Sequence, residues 1–251
     1  MTGIGDLLTL INERSVLVIN SSGATDREVS MMTRRQANIG LLSAASVAVA
    51  GTGAASDTRV MQLPSARTAG GKPLTDALRL RRSTREYSNR PLEAQVLSDL
   101  LWSAYGINRP TGDRTAPYWR HVMVIDVFAV MASGTWFYDP TVHDALVLHL
   151  QDDLRAKTGL QDFVSDAPLN LVYVAHGERM HDISAEDRRL YASADACFIG
   201  QNVYLFCASE GLATVFRGAV DYKALADAMH LDADQFVTFA QTVGYPRQQA
   251  G

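Results

Sequence analysis

Between Ala185 and Glu210 the chain carries apolar residues at Leu190, Ala194, Cys197, Phe198, Val203, Leu205, Phe206 and Ala208, and the pattern stops at Gly211. These positions surround a helix on most of its sides, so a helix of this length and character is expected to lie centrally, covered by other elements. Gly211 is the expected terminator, because a glycine just past a helix end adopts the left-handed conformation that other residues resist.

Strands are expected on both sides of that helix. Val, Ile and Phe dominate His121 to Met131, Gly134 to Tyr138 reads as its hairpin partner before the turn Asp139-Pro140, and Pro168 to Ala175 reads as a buried strand. Ala213 to Phe216 and Phe236 to Val243 complete the set. Shorter helices are expected from Pro73 to Arg82, from Pro91 to the stop at Gly106, and over Tyr222 to Met229. Strands separated by long helices give an α+β layered domain, a mainly antiparallel central sheet flanked by helices.

With 251 residues, 47% of them hydrophobic and 20% charged, the chain holds one domain's worth of core. A net charge of −4 and the lack of a basic run argue against nucleic acid as a partner. Cys197 and Cys207 fall in the long helix, separated by about 15 Å of helical rise, too far for a mutual disulfide. Both are expected to be buried apolar residues. His176 and His181 lack metal-ligand spacing, no G-x-S-x-G elbow surrounds a serine, and Gly51-Thr52-Gly53 follows no strand.

Residues 1–30 show no sustained periodicity and read as an extension, with the physiological start at Met31 or Met32. Thr33-Arg34-Arg35, the small apolar stretch Ile39 to Ala50 and the flexible Gly51 to Ser56 follow the order of an export signal, and the arginine pair is Tat-like. The apolar stretch is shorter than the roughly 20 residues that span a bilayer. A membrane tether and a plain lead-in remain alternatives for residues 31–55. Residues 56–72, rich in small residues, read as a linker to a domain over 73–251.

Three arginines, Arg81, Arg82 and Arg85, gather with Ser83 where the first helix is expected to end. Guanidinium groups form charge-assisted, bidentate hydrogen bonds with phosphate, and a serine adds a hydroxyl donor. Cations late in a helix also complement its negative end, so the cluster alone leaves both readings open.

Arg81-Arg82-Ser83-Thr84-Arg85-Glu86-Tyr87 resembles the R-R-S-x-R-x-[FY] signature of the nitroreductase family, and Glu210-Gly211-Leu212 resembles that family's E-G-L turn. Arg114-Thr115-Ala116-Pro117, Tyr138-Asp139-Pro140, Asn202-Val203-Tyr204 and Gly244-Tyr245-Pro246 are similar to motifs of its peptide-azoline dehydrogenase branch. The resemblance covers residues 74–247. It implies an FMN-dependent oxidoreductase, homodimeric as the family usually is, passing hydride or electrons between a small organic substrate and NAD(P)H or another donor. Arg81, Arg82, Ser83 and Arg85 would hold the phosphate and ribityl end, Arg247 would add to the phosphate site, and Glu210 and Gly211 would meet the flavin ring. Arg217 is a further candidate without an assigned role. Relatives place Ser, Asn and Gln where this chain has Tyr118, His121 and Met123, and methionine lacks glutamine's donor and acceptor pair. A flavin-binding or cofactor-free module on the same fold is the alternative function.

Overall fold

The computed structural model describes residues 59–141 and 145–247. The expected extension over 1–30 and the signal-like segment over 31–55 lie outside them. The elements in chain order are β1 (Val60–Met61), α1 (Leu74–Leu80), α2 (Ala94–Tyr105), β2 (Ile125–Met131), β3 (Gly134–Asp139), β4 (Ala145–Leu150), α3 (Phe163–Asp166), β5 (Leu169–His176), α4 (Ala185–Glu210), β6 (Ala213–Arg217), α5 (Tyr222–Ala228) and β7 (Gln235–Gly244). The seven strands form one antiparallel sheet in the order β1-β4-β3-β2-β5-β7-β6, so the architecture is α+β.

Alternation along the strands divides the core between the two sheet faces. Val127, Ala129, Leu171 and Tyr173 pack toward Leu97, Leu100 and Leu101 of α2 and Ile199, Val203 and Cys207 of α4. Phe128, Val130, Val172 and Val174 pack on the opposite face with Leu225 and Met229 from the α5 region. β5, covered on both faces, is buried from Leu169 to Ala175.

Ser184 caps α4 by accepting from the Asp187 N–H at 3.0 Å, and Gly211 ends it with φ 73° and ψ 26°. The buried line Ala192, Asp195, Ala196, Ile199, Gly200, Val203 and Cys207 faces the sheet. Gly200 permits the closest approach: a Cβ there would meet the Phe216 ring at 2.5 Å. Among the described residues, the outer face carries large apolar side chains that stay exposed. Leu190, Tyr191 and Phe198 are exposed, and so is Cys197, which corrects the expectation that both cysteines are buried.

Three other expectations change. Residues 59–72, expected as linker, are fastened to the domain: β1 pairs with β4, and Arg67 donates its N–H and Nε to Asp99 of α2 at 2.7 Å each. Ala145–Leu150 forms a strand where none was expected, paired with β3 along its length. The strand expected from His121 begins only at Ile125. Arg120 and His121 before it take positive φ values of 45° and 60°, in a 3-10 turn over Trp119–His121.

Candidate functional site

The first helix stops at Leu80, two residues earlier than its apolar spacing predicts, because the chain beyond it finds better partners in the sheet. Arg81 still donates its N–H to the Ala77 carbonyl, but with ψ 121° its backbone is already extended. Thr84 N–H donates to the Thr214 carbonyl at 2.9 Å, Tyr87 bridges Pro246, and Ser88 N–H donates to the Tyr245 carbonyl at 2.8 Å. The arginine-serine segment therefore runs beside β6 and the end of β7. Only Arg79 occupies the last turn of α1, so complementing that helix end does not account for Arg82 and Arg85. Tyr87 anchors the segment from below, buried with its hydroxyl donating to the Thr84 carbonyl at 2.6 Å.

A cavity of about 390 Å³ opens between this segment and the end of α4. Arg82, Thr84, Tyr204, Cys207, Gly211 and Thr214 are among its walls. Ser83 joins its edge through Oγ, 2.7 Å from the Tyr204 hydroxyl, and Arg81 lies with its guanidinium carbon 5.3 Å from the centre of the Tyr204 ring. Burial raises the Cys207 thiol well above its usual range, so it presents a neutral, apolar wall. Among the described residues, no ion pair involves Arg81, Arg82 or Arg85. Arg82, Ser83 and Arg85 are exposed and Arg81 is half-buried.

The other candidate residues are placed differently. Gly211 borders the cavity with nothing within 4 Å of where a Cβ would stand. Its N–H and that of Leu212 both turn to the Cys207 carbonyl, so this turn offers the cavity open space rather than those two donors. Glu210 faces a neighbouring hollow with Arg67 and Trp102. Arg247 lines a third one with Arg90, Asp166 and Tyr245, and its N–H donates to the Glu86 carbonyl at 3.2 Å. Pro246 is common to that hollow and the Arg82 cavity.

Arg217 is buried in the sheet. Its Nε donates to Thr242 Oγ1 at 3.0 Å, and its two terminal nitrogens donate to the Thr158 carbonyl at 2.9 Å and Asn170 Oδ1 at 3.1 Å. Burial lowers its pKa to about 10, which leaves it charged at neutral pH. This is a structural arginine.

The loop before β2 uses its substituted residues internally. Tyr118 donates its hydroxyl to Asp113, and the Met123 sulfur accepts from Arg114 Nε at 3.4 Å and from a terminal nitrogen at 3.3 Å. His121 is exposed. Arg114 is buried, and among the described residues neither its third nitrogen nor the nearby Tyr105 hydroxyl has a hydrogen-bond partner.

Sequence reasoning missed Tyr204 and Cys207 as cavity residues. Their spacing from Gly211 held the signal, since positions four and seven residues before the end of a helix form one stripe leading to it.

A sequence model of the nitroreductase family matches residues 78–245. The chain belongs to the nitroreductase family. It is 33% identical over 174 residues to a Methanocaldococcus jannaschii protein named "Putative nitroreductase MJ1384", spanning 65% of this chain and 85% of the other. A crystal structure of a putative nitroreductase from Ralstonia eutropha superposes with a TM-score of 0.72 at 40% identity, over 84% of this chain and 97% of that one. A further one from Anabaena variabilis shares the fold, with a TM-score of 0.66 at 20% identity over 76% of this chain and 42% of that one. Members of the family are oxidoreductases that generally use a flavin.

Proposed function

We propose that the protein is an FMN-dependent oxidoreductase and that the cavity between residues 81–85 and Gly211 holds the cofactor. The observation that carries this reading is the meeting of Arg82 and Gly211, 129 positions apart in the sequence, on one cavity, with Arg81 and Ser83 joined to its rim through Tyr204. Its volume of about 390 Å³ falls in the range of small-molecule sites. Cations without carboxylate partners fit a phosphate at one end. The bare backbone at Gly211 and the neutral Cys207 fit a flat, largely apolar ring at the other.

When bound, FMN would supply reversible two-electron chemistry toward a small organic substrate, with NAD(P)H or another donor as reductant. The chain's own part is to bind and orient. Arg81, Arg82 and Ser83 would hold the phosphate, and Arg85, exposed on the same segment, would add charge. Arg247 would reach the phosphate only by turning from its present hollow, and Glu210 would act from outside the cavity. Azoline-type heterocycles are the substrate class suggested by the resemblance to peptide-azoline dehydrogenases. A homodimer would cover Leu190, Tyr191 and Phe198 on α4, whose exposures are 62%, 40% and 49%. The twin-arginine segment supports export of the folded, loaded protein or its tethering at a membrane. Export would depend on Arg34 and Arg35, and fractionation of cells carrying Arg34→Lys with Arg35→Lys tests it.

The cofactor reading is tested by the visible spectrum of the purified protein and by chromatography of the flavin it releases. Stoichiometric FMN is the expected result, and protein that neither carries nor takes up flavin would overturn it. One observation favours a non-catalytic module: Tyr118 and Met123 are bonded within their own loop instead of being available to a cofactor. Flavin-loaded protein that fails to oxidise NAD(P)H with nitroaromatic or quinone acceptors would favour that alternative.

A further inference from the structure

We infer that Tyr204 is a positioning residue that presents Ser83 as a hydrogen-bond donor to a phosphate ester held at the arginine segment. The inference rests on the cofactor reading above and gives a role to Tyr204, which lies outside the R-R-S-x-R-x-[FY] signature.

A phenol hydroxyl has one proton to donate and two lone pairs that accept. The Phe216 N–H donates to the Tyr204 hydroxyl at 2.9 Å, which occupies one lone pair. Ser83 Oγ, 2.7 Å away, is the acceptor within reach of the Tyr204 proton. Donation in that direction leaves the Ser83 proton free to turn toward the cavity. Donation in the reverse direction would use it up. An anion beside Ser83 selects the first arrangement, because each donor in the chain from Phe216 N–H through Tyr204 to Ser83 then polarises the next toward the negative charge.

Two features make the chain rigid. Phe216 belongs to β6, whose other neighbours are fixed by pairing with β7, and Thr84 beside Ser83 is held by the Thr214 carbonyl on the same strand. The face of the Tyr204 ring also carries Arg81 at 5.3 Å, a cation–π contact that limits where that guanidinium can point. One side chain thus sets the direction of a hydroxyl and of a guanidinium at the same rim.

Tyr204→Phe keeps the ring and removes the hydroxyl. In the full chain stripped of flavin and titrated by flavin fluorescence quenching, this variant is expected to bind FMN roughly tenfold more weakly, the loss typical of one charge-assisted hydrogen bond. Riboflavin, which lacks the phosphate, should bind within about twofold of wild type by the same reasoning. Ser83→Ala should lose FMN affinity to a similar degree, and the double variant should lose no more than Ser83→Ala alone, since Tyr204 acts through Ser83. Equal weakening toward FMN and riboflavin, or additive losses in the double variant, would reduce Tyr204 to a structural role and overturn the inference. Wild-type protein with no preference for FMN over riboflavin would remove the phosphate reading and this inference together. A wild-type preference that Tyr204→Phe fully retains would remove the inference alone. If Tyr204→Phe does not fold, Tyr204→Met is titrated instead and judged by its preference for FMN over riboflavin alone, because loss of the ring also frees Arg81: a reduced preference supports the inference and a fully retained one overturns it.

Discussion

Arg217, at the end of β6, and Arg82, on the segment beside that strand, differ in what surrounds the guanidinium. Around Arg217 every bonded partner is a fixed protein oxygen: a hydroxyl, a carbonyl and a side-chain amide. Arg82 is exposed, borders a cavity, and takes part in no ion pair among the described residues. A satisfied buried cation holds structure together, whereas a cation left open beside a cavity is available to a ligand. The difference teaches that arginine by itself does not mark a site. Its partners do.

The largest expected effect tests the structural side of this contrast. Arg217→Ala leaves Asn170, Thr242 and the Thr158 carbonyl facing a void, and should cost about 3–5 kcal/mol in unfolding free energy by urea titration. A variant of normal stability that had lost only flavin would reverse the assignment of the two arginine groups.

Arg81→Ala with Arg82→Ala should do the opposite. Stability should stay within about 0.5 kcal/mol of wild type because both side chains reach the surface. FMN binding should fall by about 1.5–3 kcal/mol for each charge-assisted contact removed. Equilibrium dialysis against FMN reads the loss, and unchanged retention in the double variant would break the comparison.

Asp195 sharpens it with a buried carboxylate whose partner is a neutral backbone N–H rather than a cation. Its carboxylate on α4 accepts from the Trp119 N–H at 2.9 Å, and burial raises its pKa from 3.8 to about 6. A raised carboxyl pKa means that the folded state holds the proton longer than the unfolded one, so this group's contribution is lost as pH climbs from about 3.8 to about 6. Asp195→Asn, which can still accept from Trp119, should match wild type near the lower limit and be about 1–2 kcal/mol more stable at neutral pH. Thermal melts across that range should show the gap opening. A gap independent of pH would place the effect elsewhere.

Gly211→Ala carries the smallest effect, about 1 kcal/mol, because the residue has φ 73° and a new Cβ meets no atom within 4 Å. The strain is in the backbone alone. A loss well above that in chemical denaturation would mean that the turn is packed more tightly than its open surroundings indicate.

Local rules made some of this molecule readable from its residues. α4 begins at Ala185 and ends at Glu210 as expected, since a serine cap and a terminal glycine act within one turn. The five strands read from β-branched and aromatic runs all exist, with ends shifted by a few residues. What escaped reading depends on partners distant in sequence. The end of α1 is set by Thr214 and Pro246, more than a hundred residues away, and β1 exists only because β4 pairs with it. At the candidate site, Arg82 and Gly211, both singled out in the sequence, border one cavity, while Arg217, a candidate without an assigned role, has its guanidinium buried among Thr158, Asn170 and Thr242, which no local pattern encodes. Met123 shows the same limit: its sulfur turns to Arg114, a choice that no pattern around residue 123 encodes.

β6 is the last strand of the sheet, and two of its backbone groups have found partners outside any strand. The Thr214 carbonyl accepts from Thr84 and the Phe216 N–H is taken by Tyr204. An open sheet edge is a template on which another chain can add a strand and begin to aggregate. The segment proposed to grip the cofactor therefore also shields this margin, and a change that loosens residues 81–88 would expose a self-association hazard together with an empty pocket.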